Sequence, residues 1–258
     1  MLNKEKQTNK PQKEYPKPYG YTADIAVFTI VTEKKEAYKP PKMVLKVMLI
    51  QRAMLNAEGE ENIEAGKWAL PGGFVQPNES AFEAAQRELE EETGVAGIHI
   101  KHYGVYDKPG RDARGWVISN AHYAIVPEEM LAKRQANDDA AKVELFQLDD
   151  VFSLPLAFDH EQIIRDAITE ITKDLLQTTL AQKFLPKTFT YSELQAVLLT
   201  ITDDSAIKSD QAFARKIRML PFIEEVEGQT TTRTSKKPTK LYRFVDMDVM
   251  KPIYTARY

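Results

Sequence analysis

Three glutamates in one short run, Glu88, Glu91 and Glu92, stand at relative positions i, i+3 and i+4. On a helix that spacing puts their carboxylates on one face, where they repel unless a cation joins them. A hard divalent ion such as Mg2+ or Mn2+ favours carboxylate and water ligands and bridges to phosphate oxygens, so the pattern asks for that metal and for phosphate chemistry. Gly72 and Gly73 lie upstream; glycine lets the chain turn tightly and bring a backbone carbonyl toward the same ion. Arg87 can pair with a neighbouring carboxylate and fix its orientation. A run of acids is ordinarily a solvated helix face, but Gly73, Glu79, Arg87 and Gly94 stand in register with this one, which a solvated face does not require.

A second group follows in Asp107-Lys108-Pro109-Gly110-Arg111-Asp112-Ala113-Arg114-Gly115. Arginines in a turn between strands can grip phosphates through two parallel hydrogen bonds, making Arg111 and Arg114 candidate substrate contacts; a charged hairpin loop is the plain alternative. Arg52 and Phe74 complete the set of candidate substrate contacts, and Tyr103, Tyr106 and Phe74 are candidates to stack on a base. There is no cysteine, so any metal must be held by oxygen or histidine, and none of His99, His102, His122 and His160 has metal-ligand spacing with another.

Elements must position these groups. Ser80 and Glu83 have the spacing of a capping box, alanines and leucine follow at helical intervals, and Gly94 is placed to end a helix over 80–93. Ile25–Val31, Met43–Gln51 and Val117–Val126 read as strands, and Trp68–Gly73 as a strand ending in a glycine turn. Asp159 and Gln162 announce another capped helix, with Ile163, Ile164, Ala167, Ile168, Ile171 and Leu175 at helical period and a possible extent to Phe184. Leu185-Pro186 breaks that pattern. Beyond it come helices from Thr190 to Leu199 and from Ser209 to Met219, then strands Ile223–Val226 and Leu241–Val245 around a polar loop from Gly228 to Lys240. Helix, helix, strand, basic loop, strand is the order of a winged helix-turn-helix, whose second helix enters the major groove while the loop lies on phosphates. Arg215, Lys216 and Arg218 on that helix and Lys236, Lys237 and Lys240 in the loop are the candidate DNA contacts.

The whole chain of 258 residues is long enough for two ordinary domains. Hydrophobic residues at 43% and charged residues at 28% fit a globular protein with a real core. The lysine-rich, proline-spaced residues 1–20 read as a flexible arm and lack the apolar core of a signal peptide, and no apolar run approaches a membrane span. A cytoplasmic location is expected. The net charge of −3 is uneven: residues 186–258 carry 12 lysines and arginines against 9 acids.

The run from Gly73 through Glu79 to Arg87-Glu88-Leu89-Glu90-Glu91-Glu92-Thr93-Gly94-Val95 fills every fixed position of the Nudix box, so the first domain resembles the Nudix hydrolases. That resemblance implies Glu91 and Glu92 as principal metal ligands, Glu88 as a further ligand or base, Gly73 as a carbonyl donor, and metal-assisted attack by water on a nucleoside diphosphate derivative. It also implies a catalytic acid in a later loop, for which Glu128, Glu129, Asp138 and Asp139 are candidates. The Arg111–Gly115 segment is similar to that of ADP-ribose-directed members, with Ala113 where proline is usual. Phe184–Thr190, Glu193–Gln195, Phe213–Lys216 and Pro238–Phe244 resemble the Nudix-related transcriptional regulators of NAD metabolism, as does Leu156-Ala157-Phe158-Asp159-His160, although helix capping by Asp159 accounts for that last position more simply. The likeness implies an α+β chain: a Nudix α/β/α sandwich with a mixed sheet at 21–175, the end of a linker helix at 176–185, and a winged helix-turn-helix at 186–258. It implies a homodimer on a double-stranded operator, with ADP-ribose as effector, and an intact box predicts hydrolysis as well. A plain Mg2+-dependent pyrophosphatase with an accessory C-terminal domain is the alternative.

Overall fold

The computed structural model describes residues 16–56, 59–94, 98–131 and 140–246. Strands β1 (Gly20–Lys34), β2 (Lys42–Arg52), β3 (Trp68–Ala69) and β4 (Gly72–Phe74) precede helix α1 (Ala81–Thr93). Then come β5 (His99–Tyr106), β6 (Val117–Ile125), the short α2 (Glu128–Leu131), β7 (Ala140–Gln147), the short α3 (Leu148–Val151) and the long α4 (His160–Gln177). The strands form one mixed sheet in the order β3-β2-β1-β6-β5, with β4 paired to the start of β1 and β7 to β2. The β1–β6 pair is parallel.

Side chains alternate across a strand, and β1 is buried on both faces, which explains its nearly unbroken apolar run. Ala23, Ile25 and Val27 point to the α1 side, against Ala84, Ala85 and Leu89. Ala26 and Phe28 point to the opposite side and share a core with Ile163, Ile164, Ala167 and Ile171 of α4. The result is an α/β/α sandwich.

Helix α1 begins and ends as its sequence requires. Ser80 and Glu83 form the reciprocal capping box, and Gly94 closes the helix in the left-handed conformation at φ 70°. Helix α4 departs from expectation at both ends. It stops at Gln177, short of Phe184: Thr178 is extended and its hydroxyl bonds the Asp174 carbonyl at 2.6 Å, while Leu180 N–H donates to that hydroxyl. Such local side-chain bonds compete with helix continuation, and only a 3-10 turn, Leu180–Phe184, follows. At its start Asp159 occupies the N-cap position without making the capping bond; its carboxylate is engaged elsewhere, as described below.

The C-terminal part contains α5 (Tyr191–Leu198), α6 (Ser205–Lys208), α7 (Asp210–Ile217), β8 (Ile223–Thr231) and β9 (Thr239–Phe244). Thr190 and Glu193 cap α5, and Phe189 pairs with Tyr242 as a third short rung beside the hairpin. The short α6 was not anticipated, so the helix expected to enter the groove is the third of this part. Strand β8 runs to Thr231, longer than expected, and the connection to β9 is correspondingly shorter. Strands β5 and β7 were also not anticipated. Phe189, Leu194, Val197, Phe213 and Ile217 are fully buried and continue the core that contains the inner face of α4.

Candidate active site and nucleic-acid interface

Helix α1 and the turn before it assemble the carboxylate cluster. Gly72 has φ 146°, and a Cβ there would come within 2.2 Å of the Ala23 carbonyl oxygen; only glycine allows this approach of β4 to β1. A Cβ on Gly73 would meet Glu88 Oε1 at 2.3 Å, so this glycine brings the turn's backbone directly against the helix carboxylates. Arg87 is the hub. It donates to both Glu79 oxygens at 2.7 and 3.1 Å, to Glu88 Oε1 at 2.7 Å, to Glu91 Oε2 at 3.1 Å and to the Phe74 carbonyl at 3.2 Å. The hydrogen bond from Arg87 and that from Gln76 N–H hold Glu79 below the ordinary carboxylate range.

Burial raises the carboxyls of Glu88 and Glu92, Glu92 most strongly and with the negative charge of Glu88 adding to the effect. Glu92 takes a backbone hydrogen bond from Gly72, but its buried Oε2 has no partner. A buried carboxylate oxygen without a donor is costly unless something positive meets it. Among the described residues no three metal-binding side chains already converge tightly enough to cage an ion, because Glu88 and Glu91 lean on Arg87. The orphaned Glu92 oxygen, the mutual repulsion of the acids and the backbone approach at Gly73 nonetheless fit a divalent cation held by Glu88, Glu91, Glu92 and the Gly73 carbonyl.

A cleft of about 500 Å3 opens beside Gly72 and Gly73 and contains all four expected substrate contacts, Arg52, Phe74, Arg111 and Arg114. That volume suits a nucleotide-sized ligand. Arg52 donates to the Ile63 carbonyl and to Asn62 Oδ1. Arg114 is clamped on Asp112 at 2.6 Å and lies over the rings of Phe74 and Phe158, 5.2 and 5.6 Å from their centroids. Arg111 is almost fully buried and donates to both oxygens of Asp159 at 2.9 and 2.6 Å. That ion pair is why Asp159 does not cap α4.

Asp24, Phe158 and His160 also line the cleft and were not among the expected contacts. His160 Nδ1 accepts the backbone N–H of Leu70 at 2.9 Å, which places a neutral ring's proton on Nε2, 3.9 Å from Asp24 Oδ2. Burial holds His160 below its ordinary pKa. The signal for Asp24 was an acid directly before the apolar run Ile25–Val31; Phe158 had no signal of its own beyond its neighbours' likeness.

Other expectations fail on geometry. Tyr103 and Tyr106 do not line the cleft: their hydroxyls donate to the Ile163 carbonyl and to Asp166, bracing α4. Glu128 and Glu129 line a separate cavity with Pro186 and Arg233, so neither is positioned as a catalytic acid of this cleft. Asp138 and Asp139 lie outside the described residues, as does Val95 at the end of the acidic motif. His102 and His122, distant in sequence, face each other across β5 and β6 with ring centroids 5.3 Å apart.

In the C-terminal part Arg215 and Arg218 are exposed on and just after α7, Lys216 is half-buried there, and Lys236 and Lys237 are exposed at the tip between β8 and β9. Lys240 is exposed but paired with Glu225 at 2.7 Å. Arg233 ties the loop to α5, donating to both oxygens of Glu193 and to the Thr188 carbonyl.

The sequence profile of the NUDIX domain matches residues 22–167. The chain belongs to the Nudix family. Residues 181–244 match the NrtR DNA-binding winged helix domain, so a Nudix sandwich is followed by a winged helix, as the order of elements indicated. The chain is 27% identical, over 91% of its length and 85% of the relative's, to the ADPR responsive transcriptional repressor NtrR of Acinetobacter baylyi. It is 42% identical over 47% of its length, and 64% of the relative's, to the ADP-ribose pyrophosphatase of Methanocaldococcus jannaschii. The crystal structure of Shewanella oneidensis NrtR complexed with a 27mer DNA superposes with a TM-score of 0.66 at 27% identity, covering 87% of this chain and 93% of that one. No helix among the described residues is long and apolar enough to cross a membrane.

Proposed function

We propose that this Nudix protein is an ADP-ribose-sensing transcriptional repressor of NAD metabolism genes, and that its Nudix domain also hydrolyses ADP-ribose. The observation that carries the reading is the coexistence, in one chain, of an arginine-lined cleft beside a complete acidic motif and a winged helix with exposed Arg215 on α7 and exposed Arg218 just after it. The repressor relative from Acinetobacter spans both parts, and the archaeal ADP-ribose pyrophosphatase resembles the Nudix part more strongly. The protein acts as a homodimer on a double-stranded operator, each subunit presenting α7 to a major groove and the Lys236–Lys237 tip to phosphates.

In the cleft, Arg52, Arg111 and Arg114 bind the diphosphate and Phe74 packs against the ligand's apolar surface. Arg87 orients Glu88 and Glu91 and keeps Glu79 ionised. Glu88, Glu91, Glu92 and the Gly73 carbonyl hold Mg2+ or Mn2+. An ion held by these groups would offset phosphate charge and supply an activated water.

The test is ADP-ribose turnover with Mg2+ and with Mn2+, run beside operator binding by the same preparation. Turnover abolished by Glu91→Gln together with specific operator binding supports both halves. Brisk turnover without specific binding at physiological salt leaves a pyrophosphatase with an accessory domain. Operator binding without turnover leaves a sensor.

A further inference from the structure

The segment Leu156-Ala157-Phe158-Asp159-His160 joins the cleft to the rest of the molecule more completely than any single arginine does. Leu156 pairs with Trp68, and Ala157 N–H donates to the Trp68 carbonyl. Phe158 holds a left-handed backbone at φ 50°, an unfavourable conformation for a residue with a side chain. That turn sets its ring under the guanidiniums of Arg52 and Arg114, at 5.3 and 5.6 Å. Asp159 then clamps Arg111, and His160 accepts from Leu70, two residues before the glycine turn. All three cleft arginines therefore touch two adjacent residues, besides Asp112 for Arg114, Asn62 and Ile63 for Arg52 and Asp24 for Arg111, and those two residues lie immediately before the first turn of α4. From there α4 carries Ile163, Ile164, Ala167, Ile171 and Leu175 into a core that also contains Phe189 and Leu194 of the winged part.

The geometry points to Phe158 and Asp159 as the element that reports ligand occupancy to the winged helix. The inference rests on the reading of the cleft as the ADP-ribose site. A diphosphate and the Asp159 carboxylate compete for one guanidinium, since Arg111 is already committed to both Asp159 oxygens. Binding frees Asp159 from Arg111 and draws Arg114 and Arg52 off the Phe158 ring. The strained turn then loses the contacts that hold it, and the start of α4 shifts. A packed helix transmits a displacement to its far end because its core contacts admit few alternatives. Ligand and Arg111–Asp159 pairing thus favour opposite arrangements, which is the differential interaction any coupling between sites requires. Asp159 is a positioning residue here and touches no reacting atom.

The experiment uses the full-length protein in chelator, so that ADP-ribose is not consumed. Operator affinity is measured with and without saturating ADP-ribose for the wild type, Asp159→Asn and Asp159→Glu, and ADP-ribose affinity is measured for each. For the wild type, coupling in the range of about 5–150-fold is expected. Asp159→Asn should bind ADP-ribose several-fold more tightly, because the shorter ion pair of Arg111 is gone and only Asp24, at 3.8 Å, remains. Its ligand-free operator affinity should already be close to the liganded value, leaving a response below about twofold. Asp159→Glu should restore most of the response. A merely structural role for Asp159 weakens ligand and operator binding alike and leaves their ratio intact, and that outcome overturns the inference. A wild type that binds operator but ignores ADP-ribose overturns the regulatory reading itself, and the inference with it. Hydrogen exchange on the wild type supplies a check independent of variant folding: ADP-ribose must change protection in residues 160–177, and unchanged protection there is equally fatal.

Discussion

Gly73 and Glu88 approach so closely that a single added methyl on the glycine would fall 2.3 Å from the carboxylate oxygen. Gly73→Ala must therefore push Glu88 or the turn away from the metal position. Hydrolysis should fall by about two orders of magnitude, in line with the loss expected when the support of a metal ligand is disturbed. Thermal stability should change little, because the obstructing atoms are the far end of the Glu88 side chain, which can swing aside. Steady-state kinetics with Mg2+ checks this; full activity would mean that Glu88 does not need the position seen here.

Glu92→Gln separates function from stability. Its buried Oε2 has no partner and its neighbours are acids, so neutralising it removes an unfavourable buried charge. Without metal the variant should melt at a higher temperature than the wild type, while ADP-ribose turnover is lost. A lower melting point would show that the carboxylate is compensated in the free protein.

Arg215→Ala and Arg218→Ala should each weaken operator binding and reduce the slope of log affinity against log salt by about one, the signature of one lost phosphate contact. Lys240→Ala should have a smaller effect, since that ammonium is already paired with Glu225. Hydrolysis stays unchanged in all three. Equal loss of hydrolysis and operator binding would indicate misfolding instead.

Acid should withdraw the contribution of the buried histidines to stability before most carboxylates titrate. Burial lowers the pKa of His122 from 6.5 to about 4, with His102 opposite adding to the shift, and burial likewise lowers His99 and His160. Between those values the unfolded chain binds protons that the folded chain refuses, so stability is present above pH 6.5 and drains away as pH falls toward 4. The raised carboxyls of Glu88 and Glu92 act in the opposite sense, taking up protons in the folded chain, so the check is a difference: across that range the wild-type midpoint should fall relative to that of His122→Gln. An equally steep curve in the variant would remove His122 from the account.

What the sequence made legible was local. The capping box and left-handed glycine fixed α1, and capping chemistry again fixed the start of α5. The acidic spacing located the carboxylate cluster because α-helical geometry alone determines which side chains share a face. What stayed hidden depended on partners far away in the chain. Asp159 had every local mark of a helix cap, yet Arg111, 48 residues earlier, takes its carboxylate. Tyr103 and Tyr106 read as base-stacking candidates, but their outward side is occupied by α4, 60 residues on. Strand β5 mixes histidine, lysine and tyrosine on half-buried positions and shows no clear apolar alternation, while in β7 the alternation is confined to Lys142-Val143-Glu144-Leu145, too short to stand out. His102 and His122 meet only because their strands pair.

In the proposed function one small nucleotide, bound in the cleft of Arg52, Arg111 and Arg114, controls the grip of α7 on DNA. The most direct measurement is operator affinity of the wild-type protein in chelator, titrated with ADP-ribose and, in parallel, with AMP and ribose 5-phosphate. The account predicts that ADP-ribose weakens operator binding at least about fivefold while the two fragments, lacking the diphosphate link, do not. Operator affinity indifferent to saturating ADP-ribose would contradict it.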